Sequence, residues 1–100
     1  MYAQLIEGGT TPDRRSDMDR IVTDDMVPAL HDEPGFAGAL NLVDRASGNA
    51  MMIILWENEA QARRALAEYG NAFLKALASV AAISTGTRRP ISVWEVNARA

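Results

Sequence analysis

The sequence contains no cysteine, which excludes disulfide bonds, thiolate catalysis and cysteine-ligated zinc or iron–sulfur sites. It contains a single histidine, His31, and one histidine cannot build a multi-histidine metal site. The longest hydrophobic run covers only residues 50–56, whereas a membrane-spanning helix needs roughly 20 apolar residues. We therefore expect neither a metal site nor a membrane partner.

Positive charge is also scarce. The chain has 10 basic and 13 acidic residues, which gives a formal net charge of -3. A nucleic-acid-binding domain would carry a clustered basic face, so nucleic acid is not an expected partner. The N-terminal residues have neither the basic start nor the long apolar stretch of a secretory signal peptide. We expect a cytoplasmic protein.

The composition is that of a globular protein. Apolar residues make up 48% of the 100 residues, which is well above the range of disordered chains and fits one domain over residues 1–100. A chain of this size buries only about 60–65% of its extended surface. The hydrophobic core is therefore expected to be small, and burial of further apolar surface against a partner would add to its stability.

The hydrophobic pattern predicts four strands. Apolar-rich runs bounded by turn residues cover residues 2–7, 36–45, 50–57 and 91–96, as is typical of strands. Residues 46–49 form a loop short enough for a β-hairpin. Residues 84–89 are predicted to be a loop before the last strand.

Two segments have helical periodicity. Over residues 18–30 the apolar side chains fall on one arc at 100° per residue, and Pro28 lies inside this pattern. Because proline removes one helical hydrogen bond, we expect a continuous helix that is bent there. The second segment starts at the N-cap Asn58 and extends to Ile83. Gly70 interrupts it, so it is either one long helix or two stacked pieces.

The resulting order, βαββαβ, predicts an α+β ferredoxin-like fold, with a four-stranded antiparallel sheet that carries both helices on one face. If Arg45 pairs with Ala50, alternation divides the hairpin into two sets of side chains. One face holds Leu40, Leu42, Met51, Ile53 and Leu55, and the other holds Ala37, Ala39, Asn41, Val43, Met52, Ile54 and Trp56. Both faces are apolar and two helices cover only one of them, so we expect a homodimer in which two sheets meet.

Several short motifs identify a resemblance that covers most of the chain. They are Pro34-Gly35, the D-R-A-S-G turn at residues 44–48 and the W-E-N-E-A run at residues 56–60, together with V-P-A-L at 27–30 and W-E-V at 94–96. In these features the sequence resembles the antibiotic-biosynthesis-monooxygenase-like family of dimeric α/β barrels. The motifs consist mainly of a turn, a helix cap and core positions, and they indicate the fold more specifically than the activity.

The resemblance implies a dimeric barrel with a pocket beside the sheet. The enzymes of this family include cofactor-independent oxygenases of aromatic polyketides and quinols, while other members have no known activity. A haem-degrading branch uses a tryptophan and a histidine at positions that correspond to Ala65 and Lys75 here, and the first strand carries Gln4 but no asparagine. The resemblance therefore implies no haem, and we expect no cofactor.

Seven residues are candidates for a site. As catalytic groups we consider Asn41, Trp56, Asp25 and His31, and as substrate-binding groups Tyr69, Phe73 and Trp94. Asn41 is the only amide among the apolar residues of the predicted hairpin strands 36–45 and 50–57, so we expect it to be buried and hydrogen-bonded. Asp25 falls inside the apolar arc of the first helix, unless the irregularity at Pro28 returns it to solvent. His31 is also explained by the helix dipole, and the aromatic residues by core packing.

Two functions follow from these observations. The first is a cofactor-independent monooxygenase that acts on an aromatic, quinol or polyketide-type molecule, for which an apolar pocket that excludes water is the main requirement. The second is a non-catalytic homodimeric domain that binds a small apolar ligand. The second is supported by the lack of a convincing acid–base pair in the sequence.

Overall fold

Four strands form one antiparallel sheet. In the computed structural model, which describes residues 1–85 and 91–100, the strands lie in the order β2-β3-β1-β4. Their bounds are β1 Tyr2–Gly9, β2 Phe36–Val43, β3 Asn49–Trp56 and β4 Ser92–Glu95. The predicted α+β ferredoxin-like fold is confirmed. Most of the loop predicted for residues 84–89 lies outside the described residues.

The first helical region is continuous but irregular. A 3-10 turn (Pro12–Arg14) leads into α1 (Arg15–Ile21), a π-helical turn (Val22–Met26) and α2 (Val27–His31). The Val27 N–H donates to the carbonyl of Val22, five residues back, and the next residue, Pro28, has no N–H to donate. The predicted continuity through Pro28 is confirmed, and a π-turn interrupts the regular helical bonding just before it. The bend itself stays a prediction.

The second helical region consists of separate pieces, as one of the two predicted alternatives states. It comprises α3 (Glu59–Ala62), a 3-10 turn (Leu66–Glu68) and α4 (Asn71–Ile83). The Asn58 side chain accepts a hydrogen bond of 2.9 Å from the backbone N–H of Gln61, so the predicted N-cap is confirmed. Gly70 is the residue that precedes α4.

The hairpin between β2 and β3 differs from the predicted register. Val43, not Arg45, pairs with Ala50, so the register is shifted by two residues. A shift of two keeps each side chain on its predicted face, because the side-chain period of a strand is 2. A β-bulge between Phe36 and Gly38 takes Ala37 out of the regular ladder. Phe36, which pairs with Trp56, packs against the core. The prediction had given this core-facing position to Ala37.

The hydrophobic core lies between the sheet and the helices. Among its most buried side chains are Leu30, Ile54, Trp56 and Phe73, which come from a helix, the centre of the sheet and α4. The opposite face of the sheet is mainly apolar and is uncovered in the single chain. Its large exposed side chains include Leu40, 56% exposed, and Trp94, 60% exposed.

Candidate active site

A cavity of about 400 Å³ lies between the sheet and the helices. Apolar side chains form most of its wall, and a few polar groups interrupt it. The wall comprises Ile6, Met18, Val22, Met26, Ala50, Met52, Leu66, Phe73, Leu77, Val80, Ala81 and Ile91, with Glu7, Gly8, Gly9, Arg15, Asn41, Ser84 and Thr85. Its size and its mainly apolar lining with few polar groups are those of a small-molecule site.

Methionine contributes to the wall from three different elements. Met18 lies on α1, Met26 on the π-turn and Met52 on β3, and all three are buried. Methionine has a flexible, polarisable side chain that adapts to the shape of what it packs against. This part of the wall can therefore adjust to the shape of a bound molecule.

Asn41 lies on the helix-facing side of β2 and lines the cavity. It also lines an adjoining open groove between β2 and the first helical region. The expectation that Asn41 is buried is wrong, because the residue is exposed. β2 is an edge strand, and the helices leave this part of it uncovered. None of the described residues forms a hydrogen bond with its side chain, so the amide is available at the cavity mouth.

Trp56 and Tyr69 lie behind the cavity wall. The ring centroids of Trp56 and Tyr69 are 5.8 Å apart, and those of Tyr69 and Phe73 are 4.7 Å apart. Phe73 is the member of this aromatic row that lines the cavity. Among the described residues, the structure therefore joins Phe73 and Asn41 at the cavity and places Trp56 and Tyr69 in the layer that supports it.

Gln4 is the polar centre of that supporting layer. The side chain is 2% exposed, and its Oε1 accepts hydrogen bonds from Trp56 Nε1 at 3.0 Å and from the Tyr69 hydroxyl at 3.4 Å. Burial raises the pKa of the Tyr69 phenol, an effect that the Gln4 hydrogen bond opposes. A buried indole N–H and a buried phenol need such a partner, so Gln4 fixes both rings.

A second group of polar contacts closes the outer side of this layer. The Arg64 guanidinium carbon lies 4.3 Å from the centre of the Tyr69 ring, within cation–π distance. Arg64 Nη2 is 3.3 Å from Glu33 Oε2. The other carboxylate oxygen of Glu33 accepts a 2.7 Å hydrogen bond from the backbone N–H of Gly70. Glu33 thereby ties the end of the first helical region to the start of α4.

Arg15 brings a positive charge to the cavity. It is 4% exposed; its Nε donates to Asp19 Oδ1 at 3.0 Å and its Nη1 to the Gly48 carbonyl at 3.4 Å. Arg45 Nη1 donates to the other oxygen of Asp19 at 2.8 Å. The Arg45 hydrogen bond, with that of Arg15, holds the pKa of Asp19 below its usual value. The Asp19 carboxylate thus accepts hydrogen bonds from two guanidinium groups, those of Arg15 and Arg45.

The other three candidate residues lie away from both the cavity and the layer behind it. His31 is exposed at the end of α2, and its ring packs edge-on against Phe36 with 4.9 Å between centroids. Asp25 is also exposed, as one of the two alternatives for it predicts. A π-turn contains more residues per turn than an α-helix. The residue that lies one turn after Val22 on the buried face is therefore Met26 and not Asp25. Trp94 lies on the opposite sheet face and donates to Ser92 Oγ at 2.9 Å.

Sequence reasoning missed Arg15 and Gln4. Arg15 precedes Met18 by three residues and Val22 by seven, a spacing that places it on the buried arc of the helix. That spacing was available as a signal. Gln4 has no such signal, because its partners Trp56 and Tyr69 are distant in the sequence and are brought to it only by the fold.

Two classes of feature are not found in the described part of the chain. Residues 1–85 and 91–100 contain no group of three or more histidine or acidic side chains placed to hold a metal ion. No helix in the same ranges is long and apolar enough to cross a membrane.

Several solved structures have the same fold as this chain. No family model and no curated protein sequence matches this chain. A candidate antibiotic biosynthesis monooxygenase from Nitrosomonas europaea is similar in structure with a TM-score of 0.77 at 13% identity, over 98% of this chain and 100% of that one. A candidate antibiotic biosynthesis monooxygenase from Bordetella bronchiseptica has a TM-score of 0.78 at 12% identity, over 95% of each chain.

A third similar structure has a named type of activity. SnoaB, a cofactor-independent oxygenase from Streptomyces nogalater, has a TM-score of 0.68 at 19% identity, over 98% of this chain and 95% of that one. At sequence identities this low, the structural similarity establishes a common fold only. The resemblance drawn from the sequence motifs is thus confirmed at the level of the fold.

Proposed function

We propose that the protein is a cofactor-independent oxygenase that acts on an aromatic, quinol or polyketide-type small molecule in the cavity between the sheet and the helices. The observation that carries this proposal is the cavity itself, about 400 Å³ in volume, with an apolar wall and few polar groups. The shared fold with a cofactor-independent oxygenase supports it.

The proposed reaction needs little from the protein beyond binding and exclusion of water. In an anthrone-type substrate, the acidic ring CH₂ group loses a proton to solvent and forms a stabilised carbanion, which transfers its electrons to O₂ and forms a C–O bond to give a peroxide; loss of the second C–H proton and cleavage of the O–O bond follow. The CH₂ becomes C=O, one oxygen atom of O₂ enters the product, and the other leaves as water. An apolar wall keeps bulk water from the anion. In this proposal the amide of Asn41, which lines the cavity, orients a substrate oxygen.

One observation favours the second candidate, a homodimeric domain that binds a small apolar ligand without catalysis. His31 and Asp25, the residues considered for acid–base catalysis, are exposed and do not line the cavity. A general base must lie within hydrogen-bond reach of the proton that it removes. Under this alternative the cavity and its polar groups serve binding alone.

The test is oxygen consumption without added cofactor. A panel of anthrones and quinols is supplied to the purified protein in an oxygen electrode, and products are identified by mass spectrometry with ¹⁸O₂. We expect uptake above the buffer rate and one labelled oxygen atom in the product. Binding of the same compounds with uptake no faster than in buffer would contradict the oxygenase and favour the binding domain.

Two adjacent residues of α4 give a matched control for the location of the site. Leu77 lines the cavity, whereas Ala78 is exposed on α4. Leu77→Trp should fill the cavity and abolish both binding and uptake, and Ala78→Trp should leave both unchanged. Equal effects of the two substitutions would show that the reaction takes place elsewhere.

The amide at the cavity mouth is tested separately. Because none of the described residues bonds to the Asn41 side chain, Asn41→Leu should leave the melting temperature unchanged or raise it. If the amide orients the substrate, activity or binding falls in this variant. Unchanged activity would remove Asn41 from the site.

We also propose that the protein is a homodimer joined through the uncovered face of its sheet. Leu40, Leu42 and Trp94 are 56%, 49% and 60% exposed on this face, beside the half-buried Met51 and Ile53. A contiguous apolar surface of this kind is typical of an interface. Light scattering should give a mass of about twice 10.9 kDa at micromolar concentration.

A further inference from the structure

We propose that the cavity selects a small aromatic anion and that Arg15 is the residue that binds its charged oxygen. This inference rests on the proposed function in so far as both use the same cavity. It adds the charge of the ligand and a specificity-determining residue. The claim concerns recognition, and it holds whether or not the bound molecule is subsequently oxidised.

The hydrogen-bond donors of Arg15 are only partly used. A guanidinium group has five N–H donors. The Nε of Arg15 donates to Asp19 and Nη1 to the Gly48 carbonyl, whereas the buried Nη2 has no acceptor among residues 1–85 and 91–100. A buried donor without an acceptor costs free energy. A ligand oxygen in the cavity that Arg15 lines would supply the missing acceptor.

The local charge balance also favours an anion. Asp19 is the carboxylate bonded to Arg15, but it is shared with Arg45, at 2.8 Å. The cluster of Arg15, Asp19 and Arg45 therefore carries two positive charges and one negative charge. The Arg45 side chain is 70% exposed and is solvated by water, whereas the Arg15 side chain is 5% exposed and shares its one carboxylate. An additional negative group is therefore favoured at Arg15.

The other charged residue of the cavity wall does not cancel this charge from within the cavity. Glu7 lies on β1 next to Ile6 and Gly8, which belong to the helix-facing set. Because side chains alternate along a strand, Glu7 is directed to the opposite face, where it is exposed.

The wall facing Arg15 defines the rest of the ligand. Phe73, Leu77, Met18 and Met52 present aromatic, aliphatic and thioether surfaces to the same space. A volume of about 400 Å³ is within the range of sites for small organic molecules. The combination suits a fused-ring body with one carboxylate, phenolate or enolate oxygen directed at the guanidinium group.

The experiment compares two probes that differ in charge and little else. 2-Naphthoate and 2-naphthamide are titrated separately into the purified protein, and their dissociation constants are measured by calorimetry. We expect 2-naphthoate to bind at least about tenfold more tightly, since a charge-assisted hydrogen bond to a buried guanidinium group is stronger than a neutral one. Equal binding of the two probes, or binding of neither at millimolar concentration, overturns the proposal.

Three variants identify the residue responsible. Arg15→Gln should remove the preference for 2-naphthoate and leave the affinity for 2-naphthamide unchanged, and Arg15→Lys should restore part of the preference. Arg45→Gln is the matched control, because Arg45 shares Asp19 but lines the neighbouring groove and not the cavity. A preference that survives in Arg15→Gln, or disappears equally in Arg45→Gln, overturns the assignment. If circular dichroism shows Arg15→Gln to be unfolded, the wild-type comparison and Arg15→Lys decide.

Failure of this inference is distinguishable from failure of the proposed function. Oxygen uptake with neutral substrates and no preference for 2-naphthoate would leave the oxygenase standing and remove the anion site. An Arg15-dependent preference for 2-naphthoate without any oxygen uptake would establish the anion site in a binding domain.

Discussion

The Nε1 atom of Trp56 donates a 3.0 Å hydrogen bond to Oε1 of Gln4, and these two residues lie on adjacent strands at the centre of the sheet. Both side chains are almost completely buried, at 0% and 2% exposure. Tyr69, which follows the 3-10 turn and precedes α4, donates to the same oxygen. A single amide oxygen therefore links the sheet to the segment that leads into α4, the helix that forms one wall of the cavity.

Gln4→Leu should destabilise the protein. The substitution leaves the Trp56 indole N–H and the Tyr69 hydroxyl buried without an acceptor, and we expect a loss of about 1–3 kcal/mol in the free energy of unfolding. This loss is measured by urea denaturation. Combining Gln4→Leu with Trp56→Phe should cost less than the sum of the two single changes, because the pair then leaves no unpaired indole. Strict additivity would show that the bond contributes nothing specific.

The phenol of Tyr69 should make stability fall at high pH. Burial raises the pKa of this phenol above its usual value of 10.0, so the folded protein retains a proton that the unfolded chain releases. The stabilisation is therefore complete below about pH 10 and is lost as pH rises through the folded pKa. Denaturation curves between pH 9 and 11.5 measure the slope. Tyr69→Phe should reduce this slope; an identical slope in the variant would contradict the assignment.

Asp19 should contribute to stability in the opposite direction of pH. The hydrogen bonds from Arg45 and Arg15 lower its pKa, so its contribution is present above the unfolded value of 3.8 and is lost as pH falls through the folded pKa. At pH 7, Asp19→Asn should cost about 0.5–1 kcal/mol, since the carboxylate is partly exposed.

A nearby carboxylate serves as the control for this prediction. Asp24 is exposed, and no salt bridge to it is found among the described residues. Asp24→Asn should leave the free energy of unfolding unchanged at pH 7. The difference between wild type and Asp19→Asn should disappear toward pH 2, and a difference that persists there would have a cause other than charge.

A charge on the uncovered sheet face should separate the proposed dimer. Leu40 is 56% exposed on this face, and Leu40→Asp places a carboxylate where an apolar contact is expected. Light scattering should show a monomer at concentrations at which the wild type is dimeric. Ala78→Asp on the exposed side of α4 is the control and should remain dimeric. A wild-type protein that is monomeric at micromolar concentration would contradict the interface altogether.

Much of the fold follows from periodicity alone. The hairpin faces were predicted correctly although its register was not, because alternation depends on odd or even spacing and survives a shift of two residues. The burial of Met18, Val22 and Leu30 follows from helical spacing. These features are local, and the sequence contains the information in adjacent residues.

The site was less predictable because it depends on tertiary placement. The expected burial of Asn41 required knowledge of which strand lies at the edge of the sheet. The position of Asp25 depends on main-chain bonding in the π-turn, which side-chain periodicity does not report. Gln4 acquires its role from Trp56 and Tyr69, which are distant in sequence, whereas Arg15 was predictable from its spacing to Met18.

Val22 and Met26 belong both to the π-turn and to the cavity wall. The turn lacks the regular i→i−4 hydrogen bonds of the helices on either side. We expect its free energy of local unfolding to be smaller than that of the central strands of the sheet. A ligand in the cavity would contact this turn on one side and the central strands β1 and β3 on the other. The amide hydrogens around residues 22–27 should exchange with solvent well before those of the sheet, and a bound ligand should slow them first.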